Sequence, residues 1–196
     1  MINQNFVLVG VILQLLTGIG YVIDTVKGKV KPNRVSWFLW SLAPMIAFFA
    51  EIKQGVGIQS LLTFIVGFVP LLIFISSFIN KKSYWKLTKF DFMCGALSIL
   101  GLILWLITRT GNVAILFSIL ADALASVPTI VKSYNEPESE GAIVFWAGVV
   151  LGTLTLLTIK QWTFAEYAYP IYITLVNIVI ASLVSFKIKK SVKNFI

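Results

Sequence analysis

The chain has 196 residues, 58% of them hydrophobic and only 12% charged, with a net charge of +8 and a mean hydropathy of +0.92. A soluble domain carries about a quarter charged residues, so this composition lacks the polar surface that a water-soluble globule needs. Cys94 is the only cysteine and there is no histidine, which excludes an intramolecular disulfide, a thiolate metal cluster and histidine-based catalysis.

Apolar stretches run at 5–26, 35–52, 58–79, 90–108, 112–131, 141–159 and 166–186. Each is near the ~17–25 residues that cross a bilayer. Each is bounded by charges or turn residues, and none alternates as a barrel strand would, so all seven are predicted helices. The first, FVLVGVILQLLTGIGYVI, has no basic leader and no small-residue cleavage site and reads as a retained span. The second opens with SWFLW, which puts Trp37 and Trp40 one helical turn apart on one face. They suit stacking on a ring-shaped solute or gating the inner mouth, and equally an interfacial aromatic belt. Pro44 and Pro70 interrupt the second and third spans, and Pro128 and Pro170 the fifth and seventh. Each frees a carbonyl and permits a hinge.

The fourth span is short of polar residues, whereas the fifth, ILFSILADALASVPTIV, carries Asp122 near its middle. A carboxylate at that depth faces a cavity or a partner. It suits a proton-binding or cation-binding role, or a structural hydrogen bond to a neighbouring helix. The sixth span places Trp146 much as Trp37 and Trp40 are placed, and its GVVLG segment, Gly148 and Gly152, suits helix packing. In the seventh, Asn177 lies about midway, where its amide both donates and accepts, and Tyr172 is deep enough to line a pocket. Trp162, Tyr167 and Tyr169 read as outer-belt residues, and Glu51 and Glu166 as solvated. Asp24 is expected to pair with Lys27 or Lys31. Glu136, Glu138 and Glu140 are expected to form a flexible acidic loop, solvated or facing the basic segments, and no metal is assigned to them.

With the N-terminus outside, thirteen of the sixteen Lys and Arg residues fall on the cytoplasmic side: Lys27, Lys29, Lys31, Arg34, Lys81, Lys82, Lys86, Lys89, Lys132, Lys187, Lys189, Lys190 and Lys193. Only Lys53, Arg109 and Lys160 remain outside. This positive-inside bias predicts an N-outside, C-cytoplasmic topology and contact with anionic lipid, and it accounts for the basic charge without nucleic acid.

The chain also repeats itself. TVKGKVKP at 25–32 matches IVKSYNEP at 130–137, IKQ at 52–54 recurs at 159–161, and FINKK at 78–82 matches SFKIKK at 185–190. The spacing from Lys53 to Lys82 and from Lys160 to Lys189 is 29 residues in both halves. Two three-helix units share an orientation only if one further helix reverses the chain between them. The prediction is therefore an all-α polytopic membrane protein of seven transmembrane helices, arranged 3+1+3: a first repeat at 1–89, a linker helix at 90–108 and a parallel second repeat at 109–196.

On these residues the chain resembles the SWEET and PQ-loop (MtN3-like) transporter superfamily, in an uncharacterised bacterial branch. Pro128 stands at the proline of the family's Pro-Gln motif, with Thr129 in place of the glutamine, and Ile23-Asp24 occupies the matching place in the first half. Asn177 falls where the sugar-transporting branch has an asparagine, while its repeat mate is Pro70. The resemblance implies a parallel duplicated fold and self-association. With no phosphate-cradling glycine loop, nucleophile elbow or close carboxylate pair, an enzyme is not expected, nor is a cofactor. The expected function is transport of a small neutral or zwitterionic solute by alternating access, alone or with a proton, in a bacterial inner membrane. Asp122 and Asn177 would line the site. The alternative is a membrane receptor or assembly subunit that uses the same fold without moving a solute.

Overall fold

The computed structural model describes residues 2–83, 85–108 and 111–187. Arg109, Lys189, Lys190 and Lys193, which enter the charge count above, lie outside the described residues. Among those described there are seven α-helices and no strand: α1 Phe6–Val26, α2 Arg34–Lys53, α3 Ser60–Ser76, α4 Lys89–Thr108, α5 Gly111–Asn135, α6 Ala142–Thr158 and α7 Phe164–Ser185. Every predicted apolar stretch coincides with one helix. The largest differences are a shorter α3 and an α5 that runs on to Asn135, carrying Lys132 inside the helix. Four of the helices, α1, α2, α5 and α7, are long and apolar enough to cross a membrane, and α3 and α6 are apolar helices of 17 residues.

The helices bury the face that a water-soluble helix would expose. On α1 the inward residues are Val7, Gly10, Gln14, Gly18, Tyr21 and Thr25. The opposite stripe, Val9, Ile12, Leu16, Ile19 and Ile23, is exposed. In α5, Ser118, Asp122, Ser126, Thr129, Lys132 and Ser133 all turn inward, while Leu116, Leu120 and Val131 face out. Amphipathic helices in water show the opposite polarity. Small and polar residues inside, with large aliphatics outside, is the arrangement that works when lipid is the solvent.

Packing follows a pattern common to both halves. Helix α3 lies against both α1 and α2, and α7 lies against both α5 and α6. The halves meet where α2 packs on α5 and α1 on α6, and α4 lies mainly along α5. Small residues allow the close approaches. A Cβ at Gly10 would fall 2.8 Å from Leu151 Cδ1 on α6, and one at Gly148 would fall 2.7 Å from Asn177 Oδ1 on α7. The Gly148 and Gly152 face is thus a packing seam between α6 and α7.

The start of α2 is fixed by Asn33, which is fully buried. Its side-chain oxygen accepts from the backbone N–H groups of Val35 at 3.1 Å and Ser36 at 3.3 Å. Its amide donates to Asp91 Oδ1 in the first turn of α4 at 2.6 Å. One amide therefore satisfies two orphan helix donors and one buried carboxylate. Asp24 pairs with Lys29 at 3.3 Å, not with Lys27 or Lys31, because the chain turns immediately after α1 and brings Lys29 back beside it. Asn33→Ala should lower stability by about 2–4 kcal/mol, from the lost cap and the unpaired carboxylate. Lys29→Ala, at a pair whose side chains are 65% and 43% exposed, should cost less than about 0.5 kcal/mol. Thermal unfolding of the two variants in detergent checks both.

Candidate functional site

A cavity lies between the two halves, with walls from α1, α2, α3, α5, α6 and α7. Its volume of about 50 Å³ gives room for a few waters. Five residues singled out from the sequence line it: Trp37, Trp40, Pro70, Asp122 and Asn177.

Asp122 is 2% exposed. The two tyrosines that meet it are one turn apart on the face of α7 that packs on α5. Tyr172 donates its hydroxyl to Oδ2, and Tyr169 donates to Oδ1 at 3.5 Å. From α2, the Trp40 indole N–H donates to the Asp122 carbonyl at 3.3 Å. A carboxyl group removed from water is tolerable only when such donors surround it or when it takes up a proton. Tyr172 thus joins the site through Asp122. Tyr169 departs from the outer-belt expectation, being wholly buried. Its position along α7 suggests an interfacial depth, but the helix turns that side chain toward α5.

The aromatic wall comes from the starts of α2 and α6. Trp37 and Trp40 meet edge to face with ring centroids 5.1 Å apart, and Phe145 stands 6.1 Å from Trp37. Trp37 is 2% exposed and Trp40 7%, so both sit in the bundle core and not in an interfacial belt. Trp146 lies elsewhere. It is partly exposed and donates its indole N–H to Ser185 Oγ at 2.9 Å. Adjacent helical residues point about 100° apart, so when α6 turns Phe145 to the cavity it turns Trp146 away.

Asn177 is half-buried, and its amide donates to Ile173 O one turn back at 2.9 Å. Of the four prolines, Pro70 lines the cavity, and helices α2, α3, α5 and α7 continue through Pro44, Pro70, Pro128 and Pro170.

Sequence reasoning missed Gln14. It is 6% exposed, lines the cavity from α1, and its Oε1 is buried with no hydrogen-bond partner among the described residues. Its signal was an amide in the otherwise aliphatic run VILQLL. Glu51 also departs from expectation: it is 2% exposed and accepts from Thr63 Oγ1 at 3.0 Å, because the turn into α3 folds back over it. Of the two settings expected for the acidic loop, Glu140 takes the one that faces the basic segments. Its side chain is fully buried in an ion pair with Lys132 at 2.6 Å. Among the described residues, no group of three or more Asp, Glu, Cys or His is placed to hold a metal ion.

Comparison with protein-family models, curated proteins and solved structures gives no match. The site therefore has to be read from its own chemistry. Gln14→Met removes a buried amide oxygen that has no protein partner, so it should leave the melting temperature unchanged or raise it. Tyr172→Phe strips a donor from a buried carboxylate and should destabilise by about 1–3 kcal/mol. Parallel thermal unfolding of the ligand-free variants checks the opposite signs.

Proposed function

We propose that this chain is a membrane transporter of a small neutral or zwitterionic solute. The solute moves by alternating access through the cavity, with Asp122 as the group that takes up and releases a coupled proton. The observation that carries this reading is a buried carboxyl group on the wall of a cavity between two similarly packed halves, held by two tyrosine hydroxyls from the neighbouring helix α7. A carboxyl in such a setting changes its proton affinity when the cavity opens to water, which is what couples a proton to a conformational change. Asn177 and Gln14 offer neutral amides, and Trp37 and Trp40 offer ring faces, which suits an uncharged or zwitterionic solute better than a strongly charged one.

The proposal includes seven crossings arranged as two parallel three-helix repeats joined by α4. The matched neighbour pattern in the two halves supports it, as does the meeting of the α1–α2 and α5–α6 loops at one end, where Lys31 N–H donates to Ser139 O at 3.0 Å. The lysine bias supports a cytoplasmic setting for that end, and a bacterial inner membrane is part of the proposal. The resemblance to the SWEET and PQ-loop superfamily belongs to the same proposal, and so does self-association.

Purified protein in proteoliposomes, screened for uptake of sugars, amino acids, nucleosides and vitamins, tests the reading. Asp122→Asn should abolish the pH dependence of uptake while leaving the protein folded; an unchanged pH profile removes Asp122 from coupling. Asn177→Ala should weaken solute affinity by about 1–2 kcal/mol with a smaller effect on melting. A solute that stabilises the protein but is never moved across the bilayer would turn the assignment toward a receptor.

A further inference from the structure

At the end of the molecule where the α1–α2 and α5–α6 loops meet lies a second polar cluster, separate from Asp122. Lys132, in the last turns of α5, is 1% exposed. Its ammonium donates to Glu140 Oε1 at 2.6 Å, to Ser139 O at 3.4 Å and to the carbonyl of Lys31. It also lies 5.0 Å above the Trp85 ring. The other oxygen of Glu140 accepts the hydroxyl of Tyr21 from α1. One ion pair therefore joins α1, the α1–α2 loop, α5 and the α5–α6 loop, which come from both halves of the chain.

This cluster sits directly over the aromatic wall of the cavity. The Tyr21 ring packs 4.9 Å from Trp37, and Glu140 lies in the extended segment that leads into α6, whose first turn carries Val144 and Phe145. Trp37, Val144 and Phe145 all line the cavity. Passage toward this end would have to part Tyr21 from Glu140 and the Lys31 loop from Lys132.

We propose that the Lys132–Glu140–Tyr21 network is a releasable latch that holds shut the end of the cavity bearing the α1–α2 and α5–α6 loops. The proposal rests on the transport reading, since a latch matters only to a cavity that opens. A fully buried ion pair is a poor rivet, because its desolvation offsets most of the attraction, and well-packed apolar side chains of similar size hold at least as well. It is a good latch for the same reason. When the loops part, both charges regain water, whereas an apolar plug would expose its surface at full cost. The charged pair thus keeps closed and open states close in free energy, as alternation between them requires. The matching lysine of the first half, Lys27, is exposed, so among the described residues the buried lysine at this end comes from the second half.

The experiment measures the reaction rate of Val144→Cys with a small methanethiosulfonate reagent. The protein carries Cys94→Ser and is reconstituted in sealed vesicles, with reagent added from each side in turn. Glu140→Gln, which leaves Lys132 without its counter-charge, should raise labelling from the latch end by about tenfold or more with no rise from the other end. Lys132→Met combined with Glu140→Leu, an apolar plug, should slow it below the parent rate. Tyr21→Phe removes only one hydrogen bond and carries the test if Glu140→Gln does not fold; it should give a smaller rise from the same end. Rates within about twofold of the parent in folded variants, or rises that are equal from both sides, would overturn the latch while leaving transport standing. A Val144→Cys thiol that no side reaches in any variant would overturn both the latch and the alternating-access reading.

Discussion

The structure depends on the cost of taking polar groups out of water inside a bundle whose outer surface is aliphatic. Asp122, Glu51, Lys132 and Glu140 are all nearly or fully buried. Each has to be met by hydrogen bonds, by an opposite charge or by a proton. The helix contacts answer that demand: α7 brings two hydroxyls to Asp122, α3 brings Thr63 to Glu51, and the α5–α6 loop folds Glu140 back onto Lys132. Elsewhere in the bundle, Gly10 against Leu151, Gly18 against Val69, and Gly148 and Gly152 against α7 let neighbouring helices pack closely.

The groups left incompletely met are as informative as those that are satisfied. Gln14 Oε1, the Trp37 indole N–H, Glu51 Oε2 and the hydroxyls of Ser36, Ser118, Thr129 and Ser133 are buried without hydrogen-bond partners among the described residues. Two of these seven residues, Gln14 and Trp37, line the cavity. An interior chosen for stability alone would have replaced such groups with aliphatic side chains.

Two polar centres then divide the work under the transport proposal. Asp122 lies midway along α5 and faces the cavity, met by hydroxyl donors. Lys132 and Glu140 sit at one end and neutralise each other. The aromatic chain Tyr21, Trp37, Trp40 connects them, from the Glu140 carboxylate to the carbonyl of Asp122, through rings about 5 Å apart. Under the two proposals, these packed rings are the contiguous contacts through which the cavity and its closure would be coupled.

The sequence by itself determined the helices and, apart from the ends of α3 and α5, their approximate limits, because within an apolar run of bilayer length between charges a helix pairs every backbone group. It also located Asp122, since a lone carboxylate in such a run is conspicuous, and it brought Trp37, Trp40 and Asn177 to attention for the same reason of unusual chemistry at depth. It did not determine which way each helix turns about its axis. Depth along a helix follows from residue number, whereas the direction a side chain points is decided by the neighbours that pack against it. Phe145 therefore replaced Trp146 at the cavity wall, and Tyr169 left the expected outer belt to meet Asp122. Nor did the sequence reveal that Glu140 would fold inward onto Lys132. In the chain it is one of three similar loop acids, and only the convergence of two loops, 101 residues apart from Lys31 to Lys132, closes water away from that one carboxylate and makes its partner necessary.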